Sequence, residues 1–167
     1  DKVMTGKSFV APWQGGFGTT LTWKGISLAA QFSWVADRWV FNNDRYLDEG
    51  NGLFETYNQS SRLLYDRWKK PGDVTDIPRY GVTPQMDSRF LEDASFLRLK
   101  NLMLSYNFPQ TLLKKTNFLT HLRVFAQGQN LLTFTKFSGL DPEGVSNMYQ
   151  AQYPSTRQFT FGLEVSF

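Results

Sequence analysis

The last eleven residues constrain the chain more tightly than any other stretch. From Arg157 onward the odd positions read Phe159, Phe161, Leu163, Val165 and Phe167, and the even ones Gln158, Thr160, Gly162, Glu164 and Ser166. Side chains of a β-strand point alternately to its two faces, so this pattern predicts a strand over 157–167 with one apolar and one polar face. At about 3.3 Å per residue such a strand, tilted in the usual way, is long enough to cross the hydrocarbon core of a bilayer.

The same period returns near the start of the chain, this time as a hairpin. Phe17, Thr19, Leu21 and Trp23 form one set of alternate positions and Ile26, Leu28, Ala30, Phe32 and Trp34 another, with Lys24-Gly25 between them as a two-residue turn. Such a turn opposes Trp23 to Ile26 and Phe17 to Phe32. Directly opposed residues share a face, so the two apolar sets coincide. Strands over about 16–24 and 26–36 follow. Gly18, Thr20, Thr22, Ser27, Ala29, Gln31 and Ser33 make the other face small or polar.

Two more strands are expected between these ends, over 96–108 and 121–134. In the second, Leu122, Val124, Ala126, Leu132 and Phe134 share one parity, with Gly128 and Asn130 among them. Arg123, Gln127, Gln129 and Thr133 share the other, together with Phe125 and Leu131. In the first, Leu97 and Leu99 have one parity whereas Leu102, Leu104, Tyr106 and Phe108 have the other. A β-bulge near Lys100-Asn101 adds the one residue that reconciles them.

The connections alternate in length: two residues, about sixty, about twelve and about twenty. One end of the sheet therefore carries tight turns and the other carries long loops, over about 37–95 and 135–156. Bacterial outer-membrane barrels have this asymmetry, with short periplasmic turns and long external loops. Trp23, Tyr106, Phe108 and Phe167 fall at the short-turn end, and Phe17, Trp34, Phe96, Phe134 and Phe159 toward the other, like two interfacial girdles. On that reading Leu21, Trp23, Leu28, Phe32, Trp34, Phe159, Phe161, Leu163 and Val165 face lipid. The competing reading is a soluble, aromatic-rich sandwich whose apolar faces form a core.

Composition narrows the choice further. Cysteine is absent, which removes disulfide scaffolds and thiolate chemistry. The formal charge of +3 is small and its basic residues are scattered, so nucleic acid is not an expected partner. Residues 37–95 hold 11 acids and 8 bases, whereas 17–36 hold only Lys24, as befits a solvated insertion between buried strands. Five strands cannot close a membrane barrel, for which about eight is the minimum, and open edges in lipid are costly. The strands are therefore expected to complete a sheet supplied by a longer chain.

Several stretches carry a family resemblance. They are Asp93-Ala-Ser-Phe-Leu-Arg-Leu-Lys-Asn101 with Leu104-Ser-Tyr-Asn-Phe-Pro109, then Leu122-Arg-Val-Phe-Ala-Gln-Gly-Gln-Asn-Leu-Leu-Thr-Phe134, Gly139-Leu-Asp-Pro-Glu143 and Arg157 to Phe167. Arg67-Trp68, Pro71-Gly72-Asp73 and Asp76-Ile77-Pro78-Arg79 precede them. In this order they resemble the C-terminal end of the SusC/RagA-type TonB-dependent transporters of Bacteroidota. The resemblance implies an all-β fold: the last five strands of a 22-stranded outer-membrane barrel, its plug and TonB-engaging segment lying outside this sequence. It also implies import of an oligomeric glycan or peptide driven through TonB, with a SusD-like surface lipoprotein over the external loops. Phe167 would then belong to the signal read by the barrel-assembly machinery. A soluble secreted glycan-binding module and a TonB-dependent receptor for an iron chelate are the alternatives.

Candidate contact residues lie in the long insertion. Its Trp39, Phe41, Tyr46, Phe54, Tyr57, Tyr65 and Trp68 could stack on substrate or on a lid protein, or form a small core of the loop itself. Trp39, Arg45 and Tyr46 are the expected substrate or lid contacts. Leu53 to Lys70 fits a helical face only in part, and Pro71-Gly72 would end such a helix. Asp73, Asp76, Asp87, Glu92 and Asp93 lack the spacing of a calcium loop and read as surface charge balanced by Arg79 and Arg89. His121 has no neighbour at ligand spacing, so no metal is expected. No nucleophile elbow, phosphate loop or paired carboxylates appear, hence no enzyme and no cofactor.

Overall fold

A computed structural model describes residues 3–54, 56–116, 118–144 and 146–167, with the side chain of Thr116 left aside. Its strands are β1 (Trp13–Trp23), β2 (Ile26–Ala36), β3 (Trp39–Asn42), β4 (Leu91–Asp93), β5 (Phe96–Asn107), β6 (His121–Thr135), β7 (Met148–Tyr149) and β8 (Gln158–Ser166). Three short helices are α1 (Asn43–Asp48), α2 (Arg62–Tyr65) and α3 (Gln110–Leu113). The chain divides into two compact units: Trp13–Ala36, Phe96–Thr135 and Pro154–Phe167 in one, Asp1–Pro12, Asp37–Ser95 and Lys136–Tyr153 in the other.

The first unit is a five-stranded antiparallel sheet in the order β1-β2-β5-β6-β8. The hairpin register matches the one expected, Trp23 opposite Ile26 and Phe17 opposite Phe32. Lys24 and Gly25 both take positive φ, as a turn matched to strand twist requires. β1 begins earlier than expected, at Trp13. Gly15 opposes Trp34, and a Cβ at Gly15 would lie 3.2 Å from the indole nitrogen, so the missing side chain leaves room for that ring over the strand.

The bulge falls where the parity change demanded it: Gln31 pairs with Asn101 but Phe32 with Leu99, leaving Lys100 over. On β6 the register also shifts, Gln129 opposing Asn101 and Leu132 opposing Leu99. Asn130 adopts a positive φ there. The twist corrects one expectation. Leu131 does not stay with the polar set: its side chain sits over Gly128, where an added Cβ would approach it to 2.8 Å.

The apolar face is exposed along its length, Trp23 at 68%, Phe161 at 78% and Leu163 at 70%. Leu21, Leu28, Phe159 and Val165 are also exposed. Phe32 and Trp34 are half-buried, the first because Phe17 stacks on it at 5.0 Å between ring centroids. The other face presents rows of polar groups at matched levels: Gln31, Asn101, Gln129 and Gln158 lie side by side across four strands. Arg98 on that face is buried, bonded to Thr133 and Ser155. Nearer the short turns, Gly162 lies against the ring of Phe125, which an added Cβ would meet at 2.4 Å.

The second unit was not foreseen as a sheet. Its β4-β3-β7 order combines an antiparallel pair with a parallel one. Val40, Ala94, Phe137 and Tyr149 are packed together at its centre, with Phe9 against them. The helix suspected over 53–70 reduces to the four residues of α2, which ends at Tyr65, well before Pro71.

Candidate functional site

The insertion unit is organised around α1. Asn42 caps the helix, its side-chain oxygen accepting from the Arg45 backbone N–H at 3.0 Å. Asn42 also donates to Ser138 and Glu92, tying the cap to two other segments. One turn later the cap of this short helix delivers Arg45 and Glu49 to the same side.

Arg45 is the hub of a charged network. Its guanidinium reaches Glu49 at 2.9 Å, Asp76 at 3.1 Å and Glu92 at 3.2 Å, and donates to the carbonyl of Arg89. Arg62 meets the same Glu49 oxygen at 2.5 Å and Asp76 at 2.8 Å. Burial opposes the charge on Arg45, but hydrogen bonds and attraction from Glu49 and Glu92 outweigh it and hold its pKa above the ordinary value. Arg62 follows the same logic, burial against the pull of Glu49 and Asp76. Asp48, by contrast, has its carboxyl pushed up by burial and then by the nearby Asp44 and Glu49 charges. Glu49 itself is 1% exposed.

Beside the network lies an aromatic cluster. The Tyr46 ring meets Phe90 edge-on at 5.3 Å and Phe54 at 5.7 Å, and lies 6.2 Å from Phe41. Trp39 stands apart, the Lys7 ammonium 3.3 Å from its ring centroid and its indole N–H donating to Asp37 at 2.9 Å. Of the three expected contact residues, Arg45 and Tyr46 are thus brought together on α1, and Trp39 is not with them. Both of the pair also make contacts within the unit itself, Arg45 with its carboxylates and Tyr46 with Phe41, Phe54 and Phe90.

A cavity of about 430 Å³ opens here, lined by Asn42, Asp44, Arg45, Asp48, Glu49, Ser60, Arg62, Ser138, Gly139, Leu140 and Tyr149. The contribution of Ser138 to Tyr149 was not readable from sequence, because nothing local links that segment to α1. Asp76 and Glu92, expected to be balanced by Arg79 and Arg89, are instead bound by Arg45 and Arg62. Arg89 donates to the carbonyl of Asp76 rather than to its carboxylate. Among the described residues no cluster of three histidine or acidic side chains is arranged to hold a metal ion.

An open sheet that is apolar on one face and polar on the other, and a polar loop unit with a charged cavity of its own, are the make-up of a stretch of barrel wall with its loops. No protein-family model matches the chain. It is 33% identical to TonB-dependent receptor P3 of Formosa agariphila over 165 residues, covering 91% of this chain and 16% of that protein. It is 37% identical to the TonB-dependent receptor SusC of Bacteroides thetaiotaomicron over 87 residues, 52% of this chain and 9% of SusC. The RagAB peptide importer in its open-open state superposes with a TM-score of 0.89 and 42% identity over 96% of this chain, 18% of that one. Its closed-closed state gives 0.88. The chain belongs to the SusC/RagA-type TonB-dependent receptors and matches the C-terminal portion of their barrel. It spans about a sixth of the length of the curated relatives it matches.

Proposed function

We propose that this chain is wall and external loop of an outer-membrane transporter that imports an oligomeric nutrient by TonB-driven uptake, beneath a SusD-like surface lipoprotein. The two-faced sheet is the observation that supports it most directly. An exposed face of Trp23, Leu28, Phe161 and Leu163 suits lipid tails, and the amide row on the reverse suits a hydrated interior. Trp39, Arg45 and Tyr46, with the cavity beside α1, are the proposed contacts for substrate or lid, on the long-loop side. Phe167 serves as the assembly signal at the other end. The 42% identity to RagAB, a peptide importer, favours an oligopeptide over a glycan.

Deleting the gene for the full-length receptor tests this. Growth on oligopeptides as the nitrogen source is expected to fail and to return with the intact gene, but not with one lacking its TonB-engaging segment. Normal growth of the deletion strain on peptides together with failure on a glycan would replace the peptide reading by the glycan one. Release of the receptor into the aqueous fraction without detergent would end the membrane reading altogether.

A further inference from the structure

On the apolar face of the five-stranded sheet lies a groove of about 390 Å³ lined by Ile26, Leu104, Tyr106, Val124 and Ala126 together with Ser105 and Phe125 of the same strands. Its origin is a difference in side-chain size along two cross-strand rows. Ala126 stands between Leu104 and Phe161, and Val124 between Tyr106 and Leu163, so the surface dips along β6 with larger groups on either side. Ile26 and Leu104 are exposed within it.

A cation stands on the side of the groove toward the short turns. Ile26 pairs with Trp23, and the Lys24 ammonium lies 4.9 Å from the Trp23 ring centroid, which holds that charge to the apolar side of the turn. The Gly25 carbonyl accepts from the Asn107 N–H at 2.8 Å, tying the same turn to the end of β5 beside Tyr106. The other turn, 108–120, carries Lys114 and Lys115 and no carboxylate. Glu164, the acid near this end of the sheet, is on the polar face with Arg123 at 3.4 Å.

We propose that this groove is a binding site for one anionic phospholipid, an acyl chain lying along Ala126 and Val124 and the phosphate at Lys24. The groove supplies apolar surface for a tail, and the Lys24 ammonium, held over Trp23 beside Ile26, supplies a cation for a negative headgroup. The proposal rests on the apolar face meeting lipid, as argued above.

The test uses the full-length receptor, purified in non-ionic detergent and titrated with phosphatidylglycerol or with phosphatidylcholine of the same chains, bound lipid being counted by native mass spectrometry. One phosphatidylglycerol is expected to bind in preference to phosphatidylcholine. Lys24→Gln, on an exposed turn, is expected to weaken that preference about fivefold, the effect of one basic side chain near a lipid surface. Ala126→Leu is expected to abolish tight binding of both lipids, whereas Thr19→Leu, on the same face but on β1, leaves it unchanged. Equal binding of the two headgroups, or binding indifferent to Lys24→Gln and Ala126→Leu, overturns the site while leaving the membrane reading intact. Absence of either lipid, with a receptor soluble without detergent, overturns both.

Discussion

Glu49 concentrates the electrostatics of the loop unit in one carboxylate. It is enclosed, and one of its oxygens takes both Arg45 and Arg62. Removing Glu49 takes away a charge-assisted partner from each arginine, while Asp76 and Glu92 still hold Arg45 and Asp76 still holds Arg62. Because both arginines keep a carboxylate and Arg62 is partly in solvent, Glu49→Ala is expected to cost about 1.5–3 kcal/mol, read as faster local hydrogen exchange of the 42–49 and 62–66 backbone. Asp48 gives the opposite sign. Its folded pKa is raised, by burial first and then by Asp44 and Glu49, so its contribution is favourable below the unfolded value of about 3.9 and is lost as pH rises through the folded one. Asp48→Asn is therefore expected to slow proteolysis of the loop unit at pH 7, with the difference shrinking as pH falls below 4. A gain equal at both pH values would show that charge is not the cause.

At the level of the strand, the two faces make contrasting predictions for neighbouring residues. Phe161 is near the middle of β8 on the apolar face and Thr160 is on the polar one, opposite Gln127. Phe161→Lys is expected to destabilise the assembled barrel by about 2–4 kcal/mol, seen as loss of heat-modifiable mobility on gels, while Thr160→Lys is tolerated. Similar loss for both would contradict the facing. Gly162 tests the same strand differently. A Cβ there meets the Phe125 ring, so Gly162→Val is expected to cost about 1–3 kcal/mol by overpacking and to be rescued by Phe125→Ala. The strand pattern was legible because period-two alternation is local. Even the β5 bulge showed itself as a change of parity around Lys100. The conformation of Asn130 did not show, since nothing in the composition of β6 demands a positive φ that carries Leu131 to the other face.

Across the whole molecule, the sheet has β1 and β8 at its two margins, with no further strand beside either among the described residues. Unpaired backbone groups in hydrocarbon cost several kcal/mol each, so this stretch expressed on its own is expected to aggregate, with no heat-modifiable species in detergent. Co-assembly with the remaining barrel strands is expected to restore it. A stable monomeric β domain in plain buffer would instead support the soluble reading. In the loop unit the sequence indicated aromatic and charged content but not its arrangement. Arg45 and Tyr46 are neighbours in the chain, yet besides nearby Phe41 and Glu49 they touch residues 54, 76, 90 and 92, and part of the cavity wall beside them comes from 138–149.

By itself the sequence determined the strand count of the main sheet, its register at the hairpin, the position of its bulge and which face is apolar. Each of these follows from side-chain alternation and turn chemistry acting over a few residues. Tertiary structure alone decided the β4-β3-β7 sheet, the sharing of Glu49 between two arginines and the hollow over Ala126. Those depend on segments distant in the chain meeting at a given height, and pairwise packing of that kind leaves no periodic trace in the sequence.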